Sequence, residues 1–190
     1  MSNLEIIAVL ISVIAVTLTV RRHMLCWPFN LLACVLYAFI FFDYKLYGET
    51  ILQMFFMGLA VYGFWQWKQG QAQDHEIRIE QLALKTMAQQ LFLTAIAGAI
   101  FGAGLRFLTD AAVPWLDAQL AAFSMLATYW TSRKHIATWV LWVVVDIVYV
   151  GMFIYKDLLL TAGLYAAFVV LASYGWYRWA QVQKQQHSMI

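Results

Sequence analysis

Residues 133–155 read RKHIATWVLWVVVDIVYVGMFIY, and residues 21–43 read RRHMLCWPFNLLACVLYAFIFFD. Each stretch opens on two basic residues and a histidine, then runs on as an apolar segment. A helix that spans a bilayer needs roughly 20 such residues. Displaced by 112 positions, Arg21, His23, Trp27, Tyr37 and Phe41 fall on Arg133, His135, Trp139, Tyr149 and Phe153. The register continues without a gap through Leu46, Leu52, Phe56, Leu59, Ala60, Tyr62, Gly63 and Trp67, giving 13 identities across residues 21–67. Upstream, Glu5 meets Asp117 and Ser12 meets Ser124. An internal repeat of this kind fixes the architecture before any single residue is interpreted.

Five further apolar segments flank these two. The predicted spans are 4–20, 25–42, 50–67, 88–107, 113–131, 137–155 and 158–179. The repeat covers spans 1–3 and 5–7, and span 4 is left as a linker. A shift of four spans preserves direction, so the halves run parallel about an axis along the membrane normal. The expected fold is an all-α integral membrane protein with a 3+1+3 repeat. Its parts are 1–68, a linker 69–110 comprising a cytoplasmic loop and helix 4, and 111–190, which ends in a short tail. Barrel strands would be about 10 residues long and alternate in polarity, which these segments do not. The N-terminus shows no basic n-region or small-residue cleavage site, so its first segment is read as a permanent span.

Composition agrees. Of 190 residues, 64% are hydrophobic and 12% charged, with a mean hydropathy of +0.71. Soluble domains carry about 25% charged residues. A soluble enzyme, a disordered regulator and a nucleic-acid-binding domain are excluded.

The basic residues divide unevenly. Lys45, Arg106 and Lys156 fall on the side that holds the N-terminus. Arg21, Arg22, Lys68, Arg78, Lys85, Arg133, Lys134, Arg178 and Lys184 fall on the other. The positive-inside rule then predicts an external N-terminus and a cytoplasmic C-terminus. Loop 69–87 mixes both charges and reads as surface, although Ile77, Ile79, Leu82 and Leu84 suggest partial burial. Trp65, Trp67, Trp176, Tyr177 and Trp179 end spans 3 and 7 and read as an interfacial aromatic belt. Gly98 and Gly102 read as a helix-packing pair, a candidate contact between subunits.

Cys26 and Cys34 are not spaced for a metal or a redox motif. His23, His75, His135 and His187 fall in loops or the tail. No metal or cofactor is expected.

Trp139, Trp142, Asp146 and Tyr149 share one helix face, and Trp27, Asn30, Cys34 and Tyr37 share the equivalent face. Asp146 lies mid-span among Val143, Val144, Val145, Ile147 and Val148, which read as lipid-facing. A carboxylate at that depth costs at least ~2.5–3.5 kcal/mol on insertion scales, which marks a functional group. Aromatic faces beside a carboxylate suit a flat cation. Asn30, Gln53, Gln119, Ser124, Tyr37 and Tyr149 offer hydrogen bonds to hydroxyl or amide groups. Glu49 and Asp117 are candidates for an acidic external mouth. Parallel-repeat transporters place substrate near the midplane, between the halves. Two other readings of Asp146 stay open: a proton acceptor in a proton-coupled carrier, or one of an acid pair with Asp117 in an intramembrane enzyme.

The run Phe41, Phe42, Leu46, Tyr47, Leu52, Gln53 and then Tyr62–Gly63–Phe64–Trp65–Gln66–Trp67 resembles the PnuC family of bacterial vitamin transporters. So do Trp139, Trp142 and Asp146 followed by Tyr174–Gly175–Trp176. The resemblance implies seven helices arranged similarly to SWEET sugar transporters, with their own helix order. It implies facilitated diffusion of nicotinamide riboside across the inner membrane, a cytosolic kinase that traps the product, and a homotrimer. Thiamine, riboflavin and deoxynucleosides are the substrates of relatives. It also implies that Trp139 and Trp142 match a WxxW motif at the substrate site. The Asp146 position is often Asn in that family; an acid here favours a cation and leaves nicotinamide riboside and thiamine both open.

Overall fold

The structure is a computed structural model and describes residues 3–43, 47–74, 77–108, 113–155 and 159–188. The expected loop charges Lys45, Asp110, Lys156 and Asp157, together with His75, lie outside the described residues. Seven helices follow in order: α1 (Asn3–Val20), α2 (Cys26–Asp43), α3 (Tyr47–Asp74), α4 (Leu84–Leu108), α5 (Pro114–Ser132), α6 (Ala137–Tyr155) and α7 (Leu159–Ser188). Both prolines stand in first turns, Pro28 in α2 and Pro114 in α5, where no backbone donor is lost from the helical ladder. α3 and α7 run past their predicted ends. At 1.5 Å per residue they measure about 42 and 45 Å, longer than the roughly 30 Å hydrocarbon layer.

Cys26–Asp43, Leu84–Phe107 and Ala137–Tyr155 are apolar enough to span a membrane on length and composition alone, and Leu4–Val20 is a shorter apolar helix. α3, α5 and α7 have lower mean hydropathy because they carry Gln53, Ser124, Thr128, Thr131, Thr161 and other polar groups, several of which face the interior. Hydroxyls within the helices donate to carbonyls one turn back, as in Thr17 to Val13 and Thr131 to Ala127. This keeps them satisfied away from water.

Packing closes a ring. α1 lies on α2, α2 on α3, α3 on α5, α5 on α6, α6 on α7, and α7 returns to α1. α4 packs on α5 and is outside the ring. The two seams between halves are therefore α3/α5 and α7/α1. Gly98 and Gly102 on α4 face Gln119, Trp115 and Ala118 of α5, so their close approach is made within one chain rather than between subunits.

The repeat is visible in three dimensions. Arg22 and Lys134, 112 residues apart, both adopt left-handed backbone (φ 55° and 63°) and end their helices in matching turns. His23 N donates to Leu18 O at 2.9 Å, and His135 N to Trp130 O at 3.0 Å. The Trp27–Trp67 rings sit edge to face at 5.4 Å and 90°, and Trp139–Trp179 at 5.4 Å and 85°. Trp67 and Trp179 meet each other across the axis at 6.2 Å.

Each of these two tryptophans also latches a seam. Trp67 Nε1 donates to Thr131 O at 3.0 Å, and Trp179 Nε1 to Thr19 O at 3.3 Å and Val20 O at 3.2 Å. Thr19 and Thr131 are themselves 112 apart. Trp67 and Trp179 are fully buried, which corrects the belt expectation for them. A carbonyl at the end of the other half's first helix supplies the polar partner that the interface would otherwise offer. Trp65, Trp176 and Tyr177 remain exposed, as a belt requires. Val145 is likewise buried, against α5, while Val144, Ile147 and Val148 face outward.

Candidate functional site

The ring encloses a cavity of about 1230 Å³. Its lining reaches Glu5, Glu49, Phe153 and Leu159 toward the end that holds the N-terminus. Toward the other end it stops at Thr19, Trp27, Thr131 and Trp139. Cavities for small ligands commonly span about 300–1,000 Å³, so this one has room for a vitamin-sized molecule with water.

Eleven of the residues selected from sequence meet there: Trp27, Asn30, Cys34, Tyr37, Glu49, Gln53, Ser124, Trp139, Trp142, Asp146 and Tyr149. The i, i+3, i+7 spacing on α6 directs Trp139, Trp142 and Asp146 to the same side, and the repeat brings α2's Trp27, Asn30, Cys34 and Tyr37 to face them. Asp146 is 4% exposed. Asp117 and Gln119 do not line the cavity. Asp117 stays in the first turn of α5, and Gln119 turns to α4, where Nε2 donates to Ala95 O at 3.0 Å. The acidic rim is therefore Glu49 with Glu5, the repeat counterpart of Asp117. With Asp117 outside the cavity, the acid pair imagined with Asp146 is not assembled.

Sequence selection missed Glu5, Tyr165, Thr128 and Phe168. The repeat register held the signal for two of them, since Glu5 aligns with Asp117 and Tyr165 with Gln53. Tyr165 lies 4.6 Å from Tyr149 and 5.2 Å from Phe153 between ring centroids, and its edge meets Phe168 at 5.9 Å.

The lining is symmetric at both ends and asymmetric in the middle. Trp27/Trp139 and Thr19/Thr131 repeat at the floor; Tyr37/Tyr149, Phe41/Phe153 and Phe56/Phe168 repeat toward the mouth. Between them the lining residues differ from their repeat counterparts: Asn30 corresponds to Trp142, Cys34 to Asp146, and Gln53 to Tyr165. At these three positions one half offers two amides and a thiol, and the other two aromatic rings and a carboxylate. At the floor, Trp27 and Trp139 Nε1 are buried and have no hydrogen-bond partner among the described residues. Glu5, Glu49 and Asp146 line the cavity, and no lysine, arginine or histidine does so among the described residues. In a low-dielectric enclosure, that charge balance favours a cation and repels an anion.

A helical ring, apolar on its outer face, around a ligand-sized cavity of mostly apolar lining set with a few polar groups, is the architecture of a membrane carrier for small molecules. The chain belongs to the nicotinamide mononucleotide transporter family, whose model matches residues 2–181. It is similar to the nicotinamide riboside transporter PnuC of Escherichia coli (strain K12), 26% identical over 178 residues, 80% of this chain and 74% of that one. The PnuC of Neisseria mucosa is 23% identical over 198 residues, covering 97% and 74%. The riboflavin/roseoflavin transporter RibM of Streptomyces davaonensis is 24% identical over 181 residues, covering 92% and 83%. The crystal structure of the vitamin B3 transporter PnuC superposes with a TM-score of 0.78 over 96% of this chain and 82% of the other, at 21% identity. The shared fold is therefore established, and the chain is a multi-pass membrane transporter rather than an enzyme.

Proposed function

We propose that the chain takes up nicotinamide riboside, a cationic pyridinium nucleoside, by facilitated diffusion. The observation that carries this is the cavity's charge: three carboxylates and no basic side chain among the described lining residues. A neutral flavin gains no charge pairing from Asp146, and a nucleotide phosphate is repelled by all three acids. The pyridinium ring lies against α6 and α7, over Trp142 and Tyr165 and beside Asp146, where a desolvated cation–π contact over Trp contributes ~2 kcal/mol or more. The ribose hydroxyls face Asn30 and Gln53 on α2 and α3. Transport follows when the halves rock across the α3/α5 and α7/α1 seams, and a cytosolic kinase traps the riboside. We place the protein in the inner membrane, N-terminus outside, as a homotrimer.

Ligand screening of the purified protein tests the reading. Ligand that binds the folded state raises the melting temperature by mass action. Nicotinamide riboside should do so and should drive saturable flux into liposomes; its mononucleotide should do neither. Asp146→Asn keeps the shape and removes the charge. It should weaken riboside binding about tenfold or more, roughly 1.4 kcal/mol, and leave neutral analogues unaffected. Equal losses for both would remove the charge pairing. Thiamine shares the charge and lacks the ribose, so competition between the two vitamins separates them.

A further inference from the structure

We infer that residues 77–82 form the gate at the tail end of the cavity; this rests on the transporter reading above. This strap, part of the linker between α3 and α4, leaves Arg78, Glu80 and Gln81 exposed but turns two isoleucines inward. Ile77 and Ile79 are each 6% exposed. They belong to the same buried cluster as Trp27 and Trp139, which floor the cavity, and as Trp67 and Trp179, which latch the seams. The cavity's end and the strap's side chains are thus one continuous packed body.

The strap is tied to both halves. Arg22 Nη1, in the α1–α2 turn, donates to Ile77 O at 3.0 Å. In the α5–α6 turn, Glu80 N donates to Lys134 O at 3.0 Å and Ile136 N to Glu80 O at 3.1 Å, a parallel bridge between Glu80 and His135. The extension of α7 adds Gln186 Oε1, which accepts from Ile79 N at 3.2 Å, and Gln183 Oε1, which accepts from Gln81 Nε2 at 3.3 Å. Arg22 and Lys134 occupy equivalent positions, so one segment holds the two matching turns together across the axis. The halves cannot part at this end while those bonds and the two isoleucines stay in place. Release of cargo toward the tail side therefore requires the strap to leave.

Locking the strap tests this. Paired strands lie about 4.7–4.9 Å apart, within the Cα range a disulfide spans. Glu80→Cys with His135→Cys should therefore cross-link on oxidation. The oxidised protein should still bind nicotinamide riboside, lose roughly tenfold of its liposome flux, as expected when gating limits turnover, and regain it on reduction. The unsubstituted chain, oxidised in parallel, should keep its flux. Undiminished flux in the cross-linked protein overturns the gate. Absence of saturable flux in the unsubstituted chain overturns the transport reading instead.

A loosened strap gives the converse result. Cys26 lies fully buried in the same cluster. Arg22→Ala with Gln186→Ala should raise Cys26 labelling by a thiol reagent applied on the tail side. Labelling unchanged from the parent would count against the gate even if the cross-linked variant failed to fold.

Discussion

Gly63 and Gly175 carry no side chain because a tryptophan ring occupies the space. A Cβ on Gly63 would collide with the six-membered ring of Trp27, and one on Gly175 would stand 2.6 Å from Trp139. Both rings also floor the cavity, so the glycines set the depth at which the cavity ends. Replacing either by alanine must push an indole upward or off its rotamer. Overpacking of this kind costs typically about 1–3 kcal/mol. Gly63→Ala and Gly175→Ala should each lower the melting temperature and weaken ligand binding. Gly58, Gly104 and Gly151 meet nothing within 4 Å, so alanine there should be neutral or stabilising, by up to ~1 kcal/mol from helix propensity. A binding loss in Gly58→Ala equal to that in Gly63→Ala would show that the indole contacts do not set the site. Which residues occupied one face was legible from spacing alone: Trp139, Trp142 and Asp146 arrive where i, i+3 and i+7 place them. Gln119 could not be placed this way, because its choice between cavity and α4 depends on Gly98, which leaves room for the amide to reach Ala95.

At the level of elements, the seven helices follow from apolar length and from basic residues at their ends. The strap does not. Alternating Ile77 and Ile79 signal burial, but only the assembled ring supplies the surface that buries them; Leu84, from the same run, is exposed. The strap's bridge also brings His135 near Glu80, with Nδ1 3.9 Å from Oε2. Burial lowers the imidazole pKa from its ordinary 6.5; Glu80 opposes that shift, while Arg133 and Lys134 reinforce it. The folded chain thus prefers neutral His135, and the unfolded chain takes up the proton first as pH falls. The stability contributed is present above pH 6.5 and is lost as pH drops through the lower folded value. Melting temperatures measured from pH 7 to pH 5 should fall more steeply for the parent than for His135→Gln. Parallel curves would remove His135 from the pH response.

The whole molecule is a duplicated unit whose copies differ in the middle of the cavity, with the strap and helix α4 set between them in the chain. The repeat gave the parallel halves and the shared faces in advance. It could not give the ring order, because which helix of one half meets which of the other depends on the Trp67 and Trp179 latches. The same symmetry leaves orientation to charge. Arg21, Arg22, Arg133 and Lys134 sit in the two equivalent turns, Arg78 lies within the strap and Lys85 just after it, so both halves and the linker place positive charge at one end. Translocation of those charges is disfavoured, and the bias in short loops sets topology. A C-terminal fluorescent-protein fusion should therefore fluoresce in cells, and a C-terminal alkaline phosphatase fusion should stay inactive. The reverse pattern would put the strap on the outer side. In that case it would gate entry instead of release, and the carboxylates Glu5 and Glu49 would face the cytoplasm, where they could not gather cationic substrate for uptake.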